Sequence, residues 1–192
     1  MRRSSFEAYA LVLHLAGLAL VLGAPVFFGA VVAPLSFKLL PTRDMAAALQ
    51  APILTRLCWI LEGSFALLLL TSWWLTRDGG PKLRRMLMTR AAFLGLIAAV
   101  VIEKLLVARI ERLRQEAPGL IDNLPAADPS RILIDRLHRL STGFFAVEIG
   151  CALLILFMTA RWIAARSRPV AVQPLPGASR PPIPKVLDLT GV

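Results

Sequence analysis

Glu62, Glu103, Lys104 and Glu148 stand inside or at the lip of segments apolar enough for a lipid bilayer, with Arg56, Asp135, His138 and Ser141 close to the same boundary. Ionisable side chains in such segments are costly, and they mark ion pathways, proton relays or buried ion pairs. A carboxyl group in hydrocarbon is tolerated when a cation such as Lys104 or Arg56 pairs with it, or when it carries a proton. The eight residues are therefore a candidate polar intramembrane cluster, whose chemistry is proton or cation handling, or structural pairing.

The heptapeptide DRLHRLS, 135–141, supplies the upper part of this set. At about 100° per residue, Arg131, Asp135, His138, Ser141 and Glu148 fall within an arc of about 140° on one helix. Asp135 precedes His138 by three residues, a spacing that lets carboxylate and imidazole meet. Arg136 and Arg139 point elsewhere, towards headgroups or solvent. Ser141 and His138 are also one helical turn apart, but no Gly-flanked serine elbow or oxyanion donor accompanies them, so no catalytic residue is assigned and no enzymatic activity is expected.

Metal and haem chemistry find weaker support. Cys58 and Cys151 lie in apolar runs without metal-type spacing, and a structural disulfide is not expected. His14 sits in one half of the bilayer and His138 at the opposite surface, about 20 Å apart along the normal, too far to ligate one iron within a subunit. His14 is expected to be a buried helix-contact residue near the small Gly17. No cofactor or metal is assigned.

These residues must be positioned by membrane helices. The 192 residues are 57% hydrophobic and carry 22 Lys and Arg against 12 Asp and Glu; mean hydropathy is +0.68. The basic residues flank the apolar runs instead of forming one patch, which argues for a polytopic membrane protein and against a nucleic-acid binder. Four spans are expected, about 8–37, 57–76, 86–108 and 140–160, in an all-α four-helix bundle occupying 1–166. Helices three and four should outlast the bilayer. The N-terminal stretch imitates a signal peptide, but its apolar run is too long, so it is taken as an uncleaved first helix.

An even number of spans puts both termini on one side. That side carries 12 Lys and Arg against 10 opposite, and the short 77–90 loop holds five of them, which points to cytoplasmic termini in a bacterial inner membrane. Trp73, Trp74 and Trp162 would form an aromatic belt at that face, with Trp59 at the other.

Gly23, Pro25, Gly29 and Pro34 punctuate the first helix. The prolines should bend it and the glycines should admit a neighbouring helix, making these four the hinge or packing positions. Thr42 is a fitting N-cap, Pro52 an expected interruption, 76–82 a tight turn, Pro118-Gly119 a stop, and Asp128 or Ser130 a cap for the last helix. Residues 167–192, with six prolines, are expected to be an extended, disordered tail able to dock on a partner.

VFFGAVVAPLSFKLLPTRDMAAALQAPILTRL (26–57) and RILIDRLHRLST (131–142) resemble the two signature regions of the transmembrane protein 205-like family, also called domain of unknown function 4149. The first is similar to its Gly/Pro-punctuated helix, short loop and small-residue helix. The second is similar to its Leu-His-x-x-Ser element, here Leu137 to Ser141. ARIERLRQEA (108–117) matches the intervening part loosely and lacks a proline near its start. The resemblance spans about 8–163 and implies a four-span membrane protein with no catalytic residues to transfer. A similar Leu-His pattern occurs in copper-resistance D-type membrane proteins, but no Met-x-x-Met or His-rich cluster accompanies it here.

The expected role is a non-enzymatic accessory or scaffold subunit of a membrane complex, with the lipid bilayer and other membrane subunits as partners. The alternatives are a small proton- or cation-coupled transporter component using the intramembrane carboxylates, and a metal- or haem-binding membrane protein.

Overall fold

The computed structural model describes residues 2–77, 81–116, 121–125 and 127–167. Within them the chain forms helices α1 (Arg2–Phe27), α2 (Ala33–Leu39), α3 (Arg43–Thr76), α4 (Lys82–Val101), α5 (Ala108–Glu116) and α6 (Pro129–Arg166), with a short 3-10 turn at Ile121–Asn123. Wide π-helical turns at Phe28–Val32 and Ile102–Val107 join α1 to α2 and α4 to α5, so the chain makes four long rods. Each rod, 34 to 38 residues long, is apolar enough to cross a membrane. The protein is an all-helical integral membrane protein. The Pro-rich tail (168–192), Asp78-Gly79-Gly80 and Pro118-Gly119, all singled out in the sequence, lie outside the described residues.

The rods pack as a ring in which α1 meets α3, α3 meets α4, α4 meets α6, and α6 closes back on α1. Lipid tails are as apolar as leucine, so burial alone does not hold such helices together; close van der Waals packing and interhelical hydrogen bonds do. The central contacts use Leu18 and Val21 of α1, Leu61, Phe65 and Leu68 of α3, Met88 and Ala92 of α4, and Ala152 and Ile155 of α6. Small residues set the closest approaches. A Cβ on Gly95 would lie 2.1 Å from the Phe65 ring, so that ring occupies the space a side chain would fill. At Gly17 a Cβ would lie 3.3 Å from Leu68, which draws α1 against α3.

Among the described residues, a Cβ at Gly23 or Gly29 would have nothing within 4 Å. Pro25 lies within the regular helix α1, and Pro34 of the same rod follows a change of winding. Pro34 cannot donate, and one residue before it the ladder widens so that the Ala33 N–H reaches the Phe28 carbonyl. Pro52 does not interrupt its helix as the sequence led us to expect; α3 runs through it unbroken. The carbonyl its missing N–H leaves free belongs to Ala48, which is exposed, so the lost bond strands no buried group.

The rod starts are capped by side chains. Thr42 Oγ1 accepts from the Met45 N–H at 3.2 Å, and Asp128 Oδ1 accepts from Ser130 and Arg131 N–H groups at 2.8 and 3.4 Å. At the end of the bundle carrying the chain termini, here the terminal face, Trp162 and Leu75 pack with Ala10, Leu11 and Trp74. Arg77 lies over the Trp74 ring at 3.9 Å, and Arg166 pairs with Glu7 at 2.9 Å. The opposite end is the loop face.

Candidate functional site

The wide turn Ile102–Val107 contains no proline to explain it, and π-helical insertions in long helices concentrate at functional sites. It carries Glu103 and Lys104. Neighbours in sequence do not normally face each other on an α-helix, yet Lys104 Nζ lies 2.6 Å from Glu103 Oε2. The other carboxyl oxygen accepts the Trp59 indole N–H at 2.6 Å. Glu103 is buried, with 8% of its side chain exposed, whereas Lys104 keeps 58% exposed and spans from the buried carboxyl to the surface. Glu62, one turn beyond Trp59 on α3, brings its carboxyl group to hydrogen-bonding range of Glu103; its own Oε1 is buried with no partner.

Glu148 of α6 is fully buried at 0% exposure. Among the described residues neither of its carboxyl oxygens has a hydrogen-bond partner. Its surroundings come from another helix: the Cys58 thiol of α3, itself fully buried, lies within electrostatic reach of Glu148, Glu103, Glu62 and Lys104. Cys58 packs with Ile102 and Leu106, edged by Leu137, Phe144 and Phe145. Three carboxyl groups from α3, the π turn and α6 thus gather around one thiol in an otherwise apolar layer near the loop face.

An open cleft of about 770 Å³ reaches this layer between α3 and the α4–α5 rod. Met45, Ala48, Ala51 and Pro52 line one side, Val107 and Ala108 the other, and Glu103 and Lys104 stand in its wall. Asp44, Glu111 and Arg114 add charge to it. Glu103 therefore has a route to the loop face.

The structure brings Glu62, Glu103 and Lys104 together, sets Glu148 by itself within electrostatic reach of the same Cys58 thiol, and leaves the other four candidates apart. Arg56, Asp135 and His138 are exposed. Among the described residues, Asp135 and His138 make no hydrogen bond to each other. Ile134 and Leu137 take the packed face of this part of α6, which leaves Asp135 and His138 at the surface. Ser141 is buried, but its hydroxyl donates to the His138 carbonyl at 2.8 Å, a local helix bond. Among the described residues no three His, Cys, Asp or Glu side chains are grouped as metal ligands.

A second polar centre joins three helices nearer the terminal face. His14 of α1 is fully buried. Its Nδ1 lies 2.8 Å from Thr71 Oγ1 of α3 and its Nε2 lies 3.0 Å from Thr159 Oγ1 of α6. Sequence patterning marks His14 as a buried contact residue, but it does not reveal the threonines, which are 57 and 145 positions away. Gly95, whose close packing against Phe65 shapes the core, is likewise one of many small residues in its span and carries no distinguishing sequence signal.

Four membrane-spanning rods around a buried carboxylate cluster define a polytopic helical-bundle membrane protein whose ionisable groups come from three different helices. Residues 16–118 match the family described as Domain of unknown function (DUF4149), just over half of the chain, and the protein belongs to that family. The matched region holds Glu62, Glu103, Lys104 and the π turn; Glu148 and Thr159 lie beyond it on the last rod. No curated protein and no solved structure matches the chain.

Proposed function

We propose that this protein moves protons or small cations across its membrane, alone or as the ion-handling part of a larger carrier. Glu148 carries this reading. A carboxyl group with both oxygens buried and unpartnered has no structural contact to justify its cost in hydrocarbon, and it is accommodated there with a proton or a cation bound. A group that must hold such an ion, in reach of the same Cys58 thiol as the cleft-lining Glu103, is fitted to load and unload it. No bond-making chemistry is assigned to it. The positive-charge bias of the sequence supports cytoplasmic termini in a bacterial inner membrane, which would open the cleft to the external side.

The test is flux into proteoliposomes holding a pH- or cation-sensitive dye, for the wild type and for Glu62→Gln, Glu103→Gln and Glu148→Gln. Loss of flux in Glu148→Gln, with the variant still folded, is the expected result. Equal flux in all three variants would overturn the proposal.

The accessory-subunit reading is favoured by a different observation. The π turn of the first rod buries none of its residues, and α2 buries only Ser36. Open Gly23 and Gly29 precede and enter that stretch, leaving a face against which a partner's helix could pack. A stoichiometric membrane partner recovered by gentle extraction, and lost on deleting residues 167–192, would favour this role for the protein and its tail; recovery of the chain alone would count against it.

A further inference from the structure

We infer that the transported species is the proton, and that His14 is a second station on its path, separated from Glu148 by an apolar septum. The inference rests on the carrier reading above and adds to it an ion and a route. Glu148 and Thr159 are eleven positions apart on α6, about 16 Å along the helix. Between these levels the bundle is filled by Val21, Leu61, Phe65, Leu68 and Ile155, all fully buried. Ser64 of α3 is the one buried hydroxyl among these side chains in the described residues; ionisable chemistry resumes at His14, flanked by Thr71 and Thr159.

The hydrogen inventory of that centre is informative. Thr71 Oγ1 lies 2.7 Å from the Leu67 carbonyl, and Thr159 Oγ1 lies 2.8 Å from the Ile155 carbonyl. Each hydroxyl has one proton. If both protons go to these carbonyls, both hydroxyl oxygens are acceptors towards the ring, and both ring nitrogens must donate, which is the protonated imidazole. In the neutral ring one nitrogen accepts, so one threonine must turn its proton away from its carbonyl and onto the ring. The same heavy atoms satisfy both states. The centre therefore takes up or releases a proton by rotating a hydroxyl, with no rearrangement of helices.

This set suits a proton and not a metal ion. Among the described residues, α3 and α6 offer His14 hydroxyls and no carboxylate, whereas hard cations are held by several oxygens, carboxylates prominent among them. Towards the terminal face the polar trail continues on α3. Ser72 is fully buried and its hydroxyl has no partner among the described residues, and Thr76, one turn on, donates to the Ser72 carbonyl at 2.6 Å. Imidazole can accept at one nitrogen and donate at the other, which is what a station between two half-paths requires. Glu148 serves the loop-face half, His14 the terminal-face half, and the septum stands between them.

The experiment is acidification of dye-loaded proteoliposomes driven by a valinomycin-set potassium potential, with sodium present or replaced by choline. Wild type, Glu148→Gln and His14→Gln are compared. Sodium-independent acidification in wild type, lost in both variants, is the expected result. Loss in Glu148→Gln with full flux in His14→Gln overturns the role of His14 and leaves the carrier reading standing. Flux of sodium or potassium in place of protons overturns the assignment of the ion alone. No flux of any of them in wild type overturns both readings together. The chain has two histidines, so His138→Gln isolates His14 for nitrogen NMR in nanodiscs even if His14→Gln does not fold. A ring N–H that exchanges with solvent faster than the backbone amides of 65–72 fits a station on a path. One as protected as those amides refutes it.

Discussion

Replacing Glu148 by methionine should make the protein more stable while removing its proposed activity. The side chain has 0% exposure and both oxygens lack partners, so the native residue leaves polar atoms desolvated with nothing in return. An orphaned buried polar group costs about 1–3 kcal/mol. Methionine is unbranched and of similar length, so it fills the same space beside Cys58, Phe144 and Phe145 without orphaned atoms. Stabilisation of about 1–3 kcal/mol is expected, and at roughly 2–4 °C per kcal/mol for a chain of this size the melting temperature should rise by several degrees. The measurement is unfolding in mixed micelles, followed by helical circular dichroism and by tryptophan fluorescence, with flux measured on the same preparation. If Glu148→Met destabilises the fold by about 3 kcal/mol or more, as loss of one partner of a buried pair does, then Glu148 has a structural partner and the reasoning from its isolation fails. Higher stability with unimpaired flux would separate the residue from transport.

Three further outcomes follow from the packing and caps. Gly95→Ala should cost about 1–3 kcal/mol through overpacking against the Phe65 ring, and Phe65→Leu should recover part of that cost in the double variant; additive losses in a double-mutant cycle would show that the two do not collide. Asp128→Ala should destabilise by about 1 kcal/mol, because Ser130 and Arg131 lose their N-cap acceptor, with hydrogen exchange accelerated only in the first turns of α6. The half-exposed Arg166–Glu7 pair at the terminal face should matter little: Arg166→Gln is expected to shift stability by less than about 1 kcal/mol, and less still at high salt.

The features legible in the sequence were those with a local physical cause. Apolar runs interrupted by basic turns require membrane spans, since a backbone in lipid must satisfy its own hydrogen bonds and a helix does so within one segment. Thr42 and Asp128 are caps because a short side-chain oxygen there meets amides two or three residues on. Glu62, Glu103 and Glu148 stood out because a charge in an apolar run is expensive wherever the run packs. Local reasoning failed where the answer depended on neighbours outside the segment. Pro52 breaks an isolated pattern, but its freed carbonyl is exposed, so the helix continues. Helical spacing groups Asp135 and His138 with Glu148, yet Ile134 and Leu137 take the packed face there and leave both exposed.

Tertiary structure alone decided which polar groups meet. It set Trp59, Glu62, Glu103 and Lys104 together and Glu148 without a partner. It also placed the ring of His14 between threonines from two distant helices. The sequence determines how expensive each of these side chains is to bury. Whether that cost is offset depends on the register and rotation of packed helices, which are set by contacts such as Gly95 with Phe65 and Gly17 with Leu68, and no single segment encodes them.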